Sequence, residues 1–397
     1  MGTCNICGSE AKEFAALLNL PIYCNLLWDD RQAAIDCPKG DIRLAFCEQC
    51  GGISNTVFDS AKLGYSQDYE NSLHYSARFQ EYATSLAKRL VAKHDLHNKT
   101  IVEIGCGKGD FLVSLCELGD NTGVGFDNSY VEREEYKGLS DRLTFIQDFY
   151  SEKYAHYQAD FVCCRQVLEH VQRPNDLLLP LRGALKEDAT TFFEVPNALY
   201  TFKNMMVWDI IYEHCTYFTP ISLDYAFAAA GYETTAVREE FEGQFISLEG
   251  VRSQCEATSL RDAATDRLAV AALSQMIGSF ETRFREQTKR WAIALDELFT
   301  QGKKVVIWGS GSKGVTFLNL LNLQDEIQYA IDINPRKQGK FIPGSGQEIV
   351  SPERMNDYQP DVVIVMNPLY QEEIQSSLHG LGLDAQVVTT ASFGAKG

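Results

Sequence analysis

The sequence predicts an α/β chain in which two strand–glycine-loop–helix units follow a small cysteine-bearing segment. Three observations carry that reading. The stretch "TIVEIGCGKGDFLVSLCELG" sets a β-branched run, a glycine loop and a helix start in succession. The stretch "KKVVIWGSGSKGVTFLNLL" repeats the arrangement late in the chain. Around both, strand-like and helix-like runs alternate, which calls for parallel, doubly wound sheets.

The chain has 397 residues, 45% hydrophobic and 23% charged, an ordinary globular composition with room for two or three domains. Its net charge of −18 argues against nucleic acid and anionic membranes as partners, since both require a basic face. A small anionic ligand held by a local loop stays open. The opening residues lack a basic stretch followed by an apolar run, so no signal peptide is expected. No apolar run is long enough to span a bilayer, so a soluble, cytoplasmic chain is expected. In that compartment disulfides are rare. Of the 12 cysteines, clustered ones therefore suggest metal and scattered ones suggest core.

The first clusters are Cys4-Asn-Ile-Cys7 and Cys47-Glu-Gln-Cys50. Each tight C-x-x-C turn aims two thiolates at one point, so Cys4, Cys7, Cys47 and Cys50 are candidate ligands of a structural zinc ion. The alternative is two unrelated turns that happen to carry cysteines. Cys24 and Cys37 read as packing thiols. An amphipathic stretch, Ala77–His94, reads as a helix. After the first glycine loop, "NTGVGFDNSY", "LTFIQDFY", "ADFVCCRQVLEHV" and "TTFFEVPN" read as further strands. Thr219-Pro220 reads as the cap and first residue of a helix that stops at Gly231. Residues 259–299 read as one or two linker helices.

In the first loop, Glu103-Ile-Gly105-Cys106-Gly107-Lys-Gly109, the glycines permit a sharp turn and a close approach of ligand to backbone. The spacing is G-x-G-x-G, not the dinucleotide G-x-G-x-x-G. Asp127 ends the second strand, where an acid can accept both ribose hydroxyls. Asp148 ends the third, where an adenine edge would lie. Together they describe the S-adenosylmethionine site of a class I methyltransferase, with Asn128 and Gln166 as further candidates. A dinucleotide site is the alternative. The second loop, Gly309-Ser-Gly311-Ser312-Lys313-Gly314, does match the dinucleotide spacing. A helix N-terminus behind it suits phosphate, and Lys313, Lys337 and Lys340 add local positive charge. A glycine turn that only packs strand on helix is the equal alternative.

"WDIIYEHCTYF" sets Glu213 beside His214 inside an apolar run, where either group is costly without a partner. A core histidine satisfied by a backbone carbonyl is the plain alternative to a catalytic one.

Taken in order, the two C-x-x-C pairs, the E-I-G-C-G-K-G loop, Glu213-His214 and the closing "GSGSKG…DINPRKQGKFIPG" segment resemble the sugar C-methyltransferases, which act on nucleotide-linked keto-deoxysugars. The resemblance implies a zinc-binding domain over 1–60 and a class I, Rossmann-like S-adenosylmethionine-dependent methyltransferase domain over 61–255. A helical linker over 256–300 and a C-terminal Rossmann-like α/β domain over 301–397 would follow. It implies a catalytic pair at Glu213 and His214, a second histidine at His170 and a tyrosine at Tyr69, with Tyr75 the alternative. Substrate contacts would come from Tyr75, Tyr212, Gly309, Gly311, Ser312, Lys313 and Lys340. Where the family shows Tyr-Gly-Ala and Pro-Trp-Asn, this chain has Trp308-Gly309-Ser310 and Met366-Asn367-Pro368, so the carrier group stays open. In that reading histidine removes a proton next to a carbonyl, the carboxylate orients it, and a tyrosine or histidine steadies the oxyanion. An O- or N-methyltransferase of a small metabolite and a non-catalytic dinucleotide-binding protein are the other classes considered.

Overall fold

The computed structural model of the protein describes residues 2–64, 69–139, 141–254 and 266–391. Four short strands open the chain: β1 (Gly2–Thr3), β2 (Glu10–Pro21), β3 (Lys39–Phe46) and β4 (Ile53–Asn55). They pair antiparallel in chain order. Cys4 and Cys7 lie in the turn between β1 and β2, and Cys47 and Cys50 in the turn between β3 and β4.

The central domain follows with β5 (Thr100–Ile104), β6 (Thr122–Phe126), β7 (Leu143–Ile146), β8 (Ala159–Arg165) and β9 (Leu185–Pro196). Then come β10 (Thr216–Tyr217), β11 (Tyr232–Glu240) and β12 (Phe245–Arg252). Its sheet runs β11-β12-β9-β8-β5-β6-β7. Strand β12 is antiparallel to both neighbours, and the other pairings are parallel. The order reverses between β5 and β8, so a crevice opens outside their carboxyl ends.

The third sheet is built from β13 (Val305–Trp308), β14 (Tyr329–Ile331), β15 (Glu348–Val350), β16 (Val362–Val365) and β17 (Gln386–Thr389). It is parallel throughout, in the order β15-β14-β13-β16-β17. Its central strands β13 and β16 are buried along their whole length, as the apolar runs VVIW and VVIV require of strands covered on both faces. Its order reverses between β13 and β16.

Strand β10 leaves the central domain and pairs antiparallel with β4, Thr216 against Ser54 and Tyr217 against Ile53. The N-terminal sheet is thus completed by the segment that follows His214, so the expected boundary at residue 60 cuts across this sheet. The helix Ala77–His94 has the predicted bounds, capped by Ser76, whose hydroxyl accepts from Phe79 N at 3.3 Å. Thr219 and Ser222 form a capping box on the helix Pro220–Ala229, worth about 1 kcal/mol. The expected linker contains the helices Arg267–Gly278 and Phe280–Thr300, and its residues 256–265 lie outside the described ones. Trp291 of the second helix packs edge-on against Trp208 and Phe317, joining it to both the Trp208 segment and the last domain. Among the described residues, no helix is long and apolar enough to cross a membrane.

Candidate active site

Strand β5 ends in the glycine loop. Gly105, Gly107 and Gly109 take φ of 69°, 55° and 89°, the left-handed region that glycine enters without strain. A Cβ on Gly105 would stand 2.1 Å from Val167 Cγ2, whereas one on Gly107 would meet nothing within 4 Å. The backbone at Gly107 is therefore bare towards open space. Gly105→Ala should cost about 2 kcal/mol or more, from a forced φ and a clash with the segment after β8, read as a fall in melting temperature. Gly107→Ala should fold with a smaller loss and fail chiefly in donor binding.

Asp127, one residue past β6, accepts from Gly107 N at 2.8 Å and from Ser129 N and Oγ at 2.7 Å each. The loop and the acid are thus tied together at the carboxyl edge, as a ribose site needs. Asn128 follows it, and its carbonyl accepts from Gln147 Nε2. Cys106 is buried against Gly125, where its Sγ would stand 2.8 Å from an added Cβ. Glu103 is buried beneath the loop and its Oε2 has no hydrogen-bond partner. Burial pushes its carboxyl group up to about 8, against the pull of Arg165. Asp148 departs from expectation. Lys153, the Tyr154 hydroxyl at 2.7 Å and Phe149 N at 2.8 Å take up its carboxylate and hold it down near 2, Lys153 foremost. Its side chain anchors the turn after β7 instead of standing open for an adenine.

Gln166 follows β8 with φ of 57°, donating its backbone N–H to Glu194 O at 2.7 Å. It lines a cavity of about 390 Å³ between the central and C-terminal domains. The residues that follow β8 (Glu169, His170) line one side. Those that follow β13 (Gly309, Gly311, Ser312, Lys313) and β16 (Met366, Asn367) line the other. The carboxyl ends of two parallel sheets, each at its point of strand reversal, therefore open on one space.

His214 reaches this space from a turn at Tyr212-Glu213, so it is not held in a strand that would force neighbours to opposite faces. Asn55 N and Asn5 Nδ2 each donate to Cys215 O at 3.0 Å, and Asn5 Nδ2 also reaches Thr216 Oγ1 at 3.2 Å. The N-terminal domain thereby fixes the backbone on which His214 sits. Its ring meets that of His170 edge-on, centroids 4.8 Å apart. His170 Nδ1 donates to Glu213 O at 3.0 Å. Burial holds His170 down to about 4 and His214 well below its ordinary range, with His170 and Lys313 adding to the latter.

The expected carboxylate–imidazole pair within Glu213-His214 does not form. Glu213 Oε2 accepts from Cys24 N at 2.9 Å, and its Oε1 has no hydrogen-bond partner. Burial raises Glu213 to about 7, with Cys24 and the Tyr69 hydroxyl pulling down. Tyr69 bridges to Leu26 and lines the cavity, and Tyr75 stands half exposed at its rim. Tyr212 does not line it. Its ring is buried against Phe58 and its hydroxyl accepts from Asp59 N at 3.1 Å, so it packs the N-terminal domain. Lys340 pairs with Asp29 away from the cavity. Lys337 instead is buried in the wall, donating to Asn25 Oδ1 at 3.2 Å, and Lys313 pairs with Asp209. Asp209 and Glu169 also line the cavity; no local motif marks them, although Glu169 directly precedes His170 and Asp209 stands in the same run as Glu213.

The four cysteines of the N-terminal domain bring their sulfurs within 4.8 Å of one another, with Cys4–Cys50 at 3.6 Å and Cys7–Cys47 at 3.5 Å. Four thiolates about 2.3 Å from a central zinc would lie roughly 3.7 Å apart, so the donor set fits that ion.

Residues 75–237 match the family described as a methyltransferase domain, and residues 262–387 match the C-methyltransferase C-terminal domain. The C-methyltransferase NovU of Streptomyces niveus is 30% identical over 55% of this chain and 54% of its own. A ubiquinone biosynthesis O-methyltransferase of Actinobacillus pleuropneumoniae is 29% identical over 26% of this chain and 47% of its own. The chain thus spans about half the length of the curated relatives it matches. A solved magnesium protoporphyrin IX methyltransferase from Synechocystis aligns with 44% of this chain and 84% of its own, at 18% identity and a TM-score of 0.35. The strand order, not that alignment, defines the fold. Successive parts of the chain thus resemble a methyltransferase domain and the C-terminal domain of C-methyltransferases, in that order.

Proposed function

We propose that the protein transfers a methyl group from S-adenosylmethionine to a carbon next to a ketone, on a deoxysugar linked to a nucleotide or a similar anionic carrier. The observation that carries this reading is the cavity that His214 lines together with Gln166, Glu169 and His170 of the central domain and the glycine loop of the C-terminal sheet. The donor would lie over Gly105–Gly109 with its ribose on Asp127. The carrier's charge would meet Lys313, Lys337 and the N-terminus of the helix Ser312–Leu320, where phosphate is favoured. The sugar would then fall between them.

Carbon methylation needs a base. His214 takes the proton, and the enolate carbon attacks the methyl group as sulfur leaves. The apolar wall of Ile211, Phe241, Phe245 and Trp308 keeps water from the carbanion. Tyr69 or His170 steadies the oxyanion. A zinc ion held by Cys4, Cys7, Cys47 and Cys50 would be structural, since protein would fill all four of its ligand places.

The match to ubiquinone biosynthesis O-methyltransferases supports a second reading, methylation of oxygen. Carbon-13-labelled methyl donor and a dTDP-linked keto-deoxyhexose separate the two. The proposal expects the label's proton signal to couple to a quaternary or methine carbon of the product. A label bound to oxygen would overturn it.

A further inference from the structure

Glu213 Oε2 accepts from Cys24 N, and another carboxyl group stands with the imidazoles. One oxygen of Glu169 and one ring nitrogen each of His170 and His214 lie within 4.8 Å of one another. Glu169 is 2% exposed, lines the cavity, and its Oε2 has no hydrogen-bond partner. Its Oε1 stands 3.9 Å from His170 Nε2. The 3-10 turn Leu168–His170, directly after β8, sets both side chains at the carboxyl edge of the sheet. Cys215 N donates to Glu169 O at 3.0 Å, which ties this turn to the His214 segment. A buried carboxyl oxygen without a donor is costly, and its place beside two imidazoles gives it a use.

We propose that Glu169, not Glu213, is the carboxylate that works with His214, and that Glu169, His170 and His214 take up the acceptor's proton as one cluster. This rests on the carbon-methylation reading above. The acceptor C–H bond breaks and its electron pair stays on carbon as the enolate. The proton goes to the His214 ring, and the Glu169 carboxylate neutralises the imidazolium. The enolate carbon then bonds the methyl group as the C–S bond breaks, and S-adenosylhomocysteine leaves. The proton passes to solvent once the site opens.

Two buried imidazoles alone would be weak bases, since burial holds both down. Burial pushes Glu169 the other way, to about 8. Groups this close titrate together, so the first proton belongs to the cluster and not to one ring. Glu169 thereby brings the base into the range where proton abstraction works near neutral pH. Glu194, Cys164 and Cys215 face Glu169, and Lys313, itself paired with Asp209, faces His214. Glu169 is a positioning residue, acting through His214.

The test needs no acceptor. The seven histidines of the full chain are labelled with carbon-13 at Cε1 and followed by NMR across pH, with His170→Gln and His214→Gln assigning the signals. The wild type should show a shared step in the His170 and His214 signals between about pH 7 and 9. Glu169→Gln should move it below about pH 5, and Glu213→Gln should leave it above about pH 7. Calorimetric binding of S-adenosylhomocysteine, unchanged within about threefold, certifies the fold of each variant. Should Glu169→Gln not fold, Glu169→Asp carries the test, with a shift of at least about half a unit expected. A step indifferent to Glu169, or one lost in Glu213→Gln, would overturn the proposal. So would a second bound divalent ion per chain that disappears in Glu169→Gln, since the cluster would then be a metal site. An enzyme that methylated oxygen would leave this titration intact, so the two readings fail separately.

Discussion

His214→Ala is expected to lower kcat by about 10²–10⁴-fold, the range a positioned general base supplies, with donor affinity changed less than about threefold. The split follows from placement. His214 lines the inter-domain cavity, whereas Gly107 and Asp127, which would hold the donor, are bonded to each other at the edge of β5 and β6. Truncating the ring removes the proton acceptor without touching that loop. Losing the imidazole also leaves Lys313 and His170 in place, so carrier binding should persist and KM should move less than kcat. Initial rates with calorimetric binding of S-adenosylhomocysteine make the comparison. Undiminished turnover would remove His214 from the chemistry.

Cys47→Ser is expected to cost the protein both its zinc and its turnover. Metal binding in such sites carries folding free energy, about 10 kcal/mol or more in small zinc domains. The consequence reaches the active site through three contacts. Asn5, between the first two cysteines, holds Cys215 O; β4 pairs with β10; and Cys24 N holds Glu213. When the N-terminal sheet loosens, the turn bearing His214 loses its support. Elemental analysis should fall from about one zinc per chain towards none, the first thermal transition should drop, and kcat should fall at least about 100-fold. Donor binding should survive, since Gly105–Gly109 and Asp127 stand on a separate sheet. A fully active, zinc-free variant would show that the cysteines only pack.

How far the sequence could be read follows from how local each signal was. The glycine loops were legible because positive φ and close backbone approach leave glycine as the ready choice, and Gly105, Gly107 and Gly109 take that conformation. The helix Ala77–His94 was legible because its apolar stripe and its Ser76 cap are both local features. The pairing of β10 with β4 was not, since two residues carry no periodicity and the partner is supplied by distant chain. The hairpin of β11 and β12 was not legible because β11 is largely exposed and rich in charge, which hides its pairing with the buried β12. At the site, neighbours in sequence need not be neighbours in space. Glu213 adjoins His214 in the chain yet faces Cys24, while Glu169 meets His214 only through folding. Tyr212, expected among the substrate contacts, is sent into the core by the turn. Lys337 and Lys340 sit three apart on one loop, and the fold buries the first in the cavity wall and leaves the second against Asp29.

The proposed carbon deprotonation by His214 can be watched without the methyl donor. The enzyme is incubated with a dTDP-linked keto-deoxyhexose in heavy water, and the proton signal next to the carbonyl is followed by NMR. The account predicts deuterium entering at that single carbon with the wild type and, at most, the uncatalysed background with His214→Ala. Methyl transfer that proceeds with no exchange in either protein, or equal exchange in both, would contradict it.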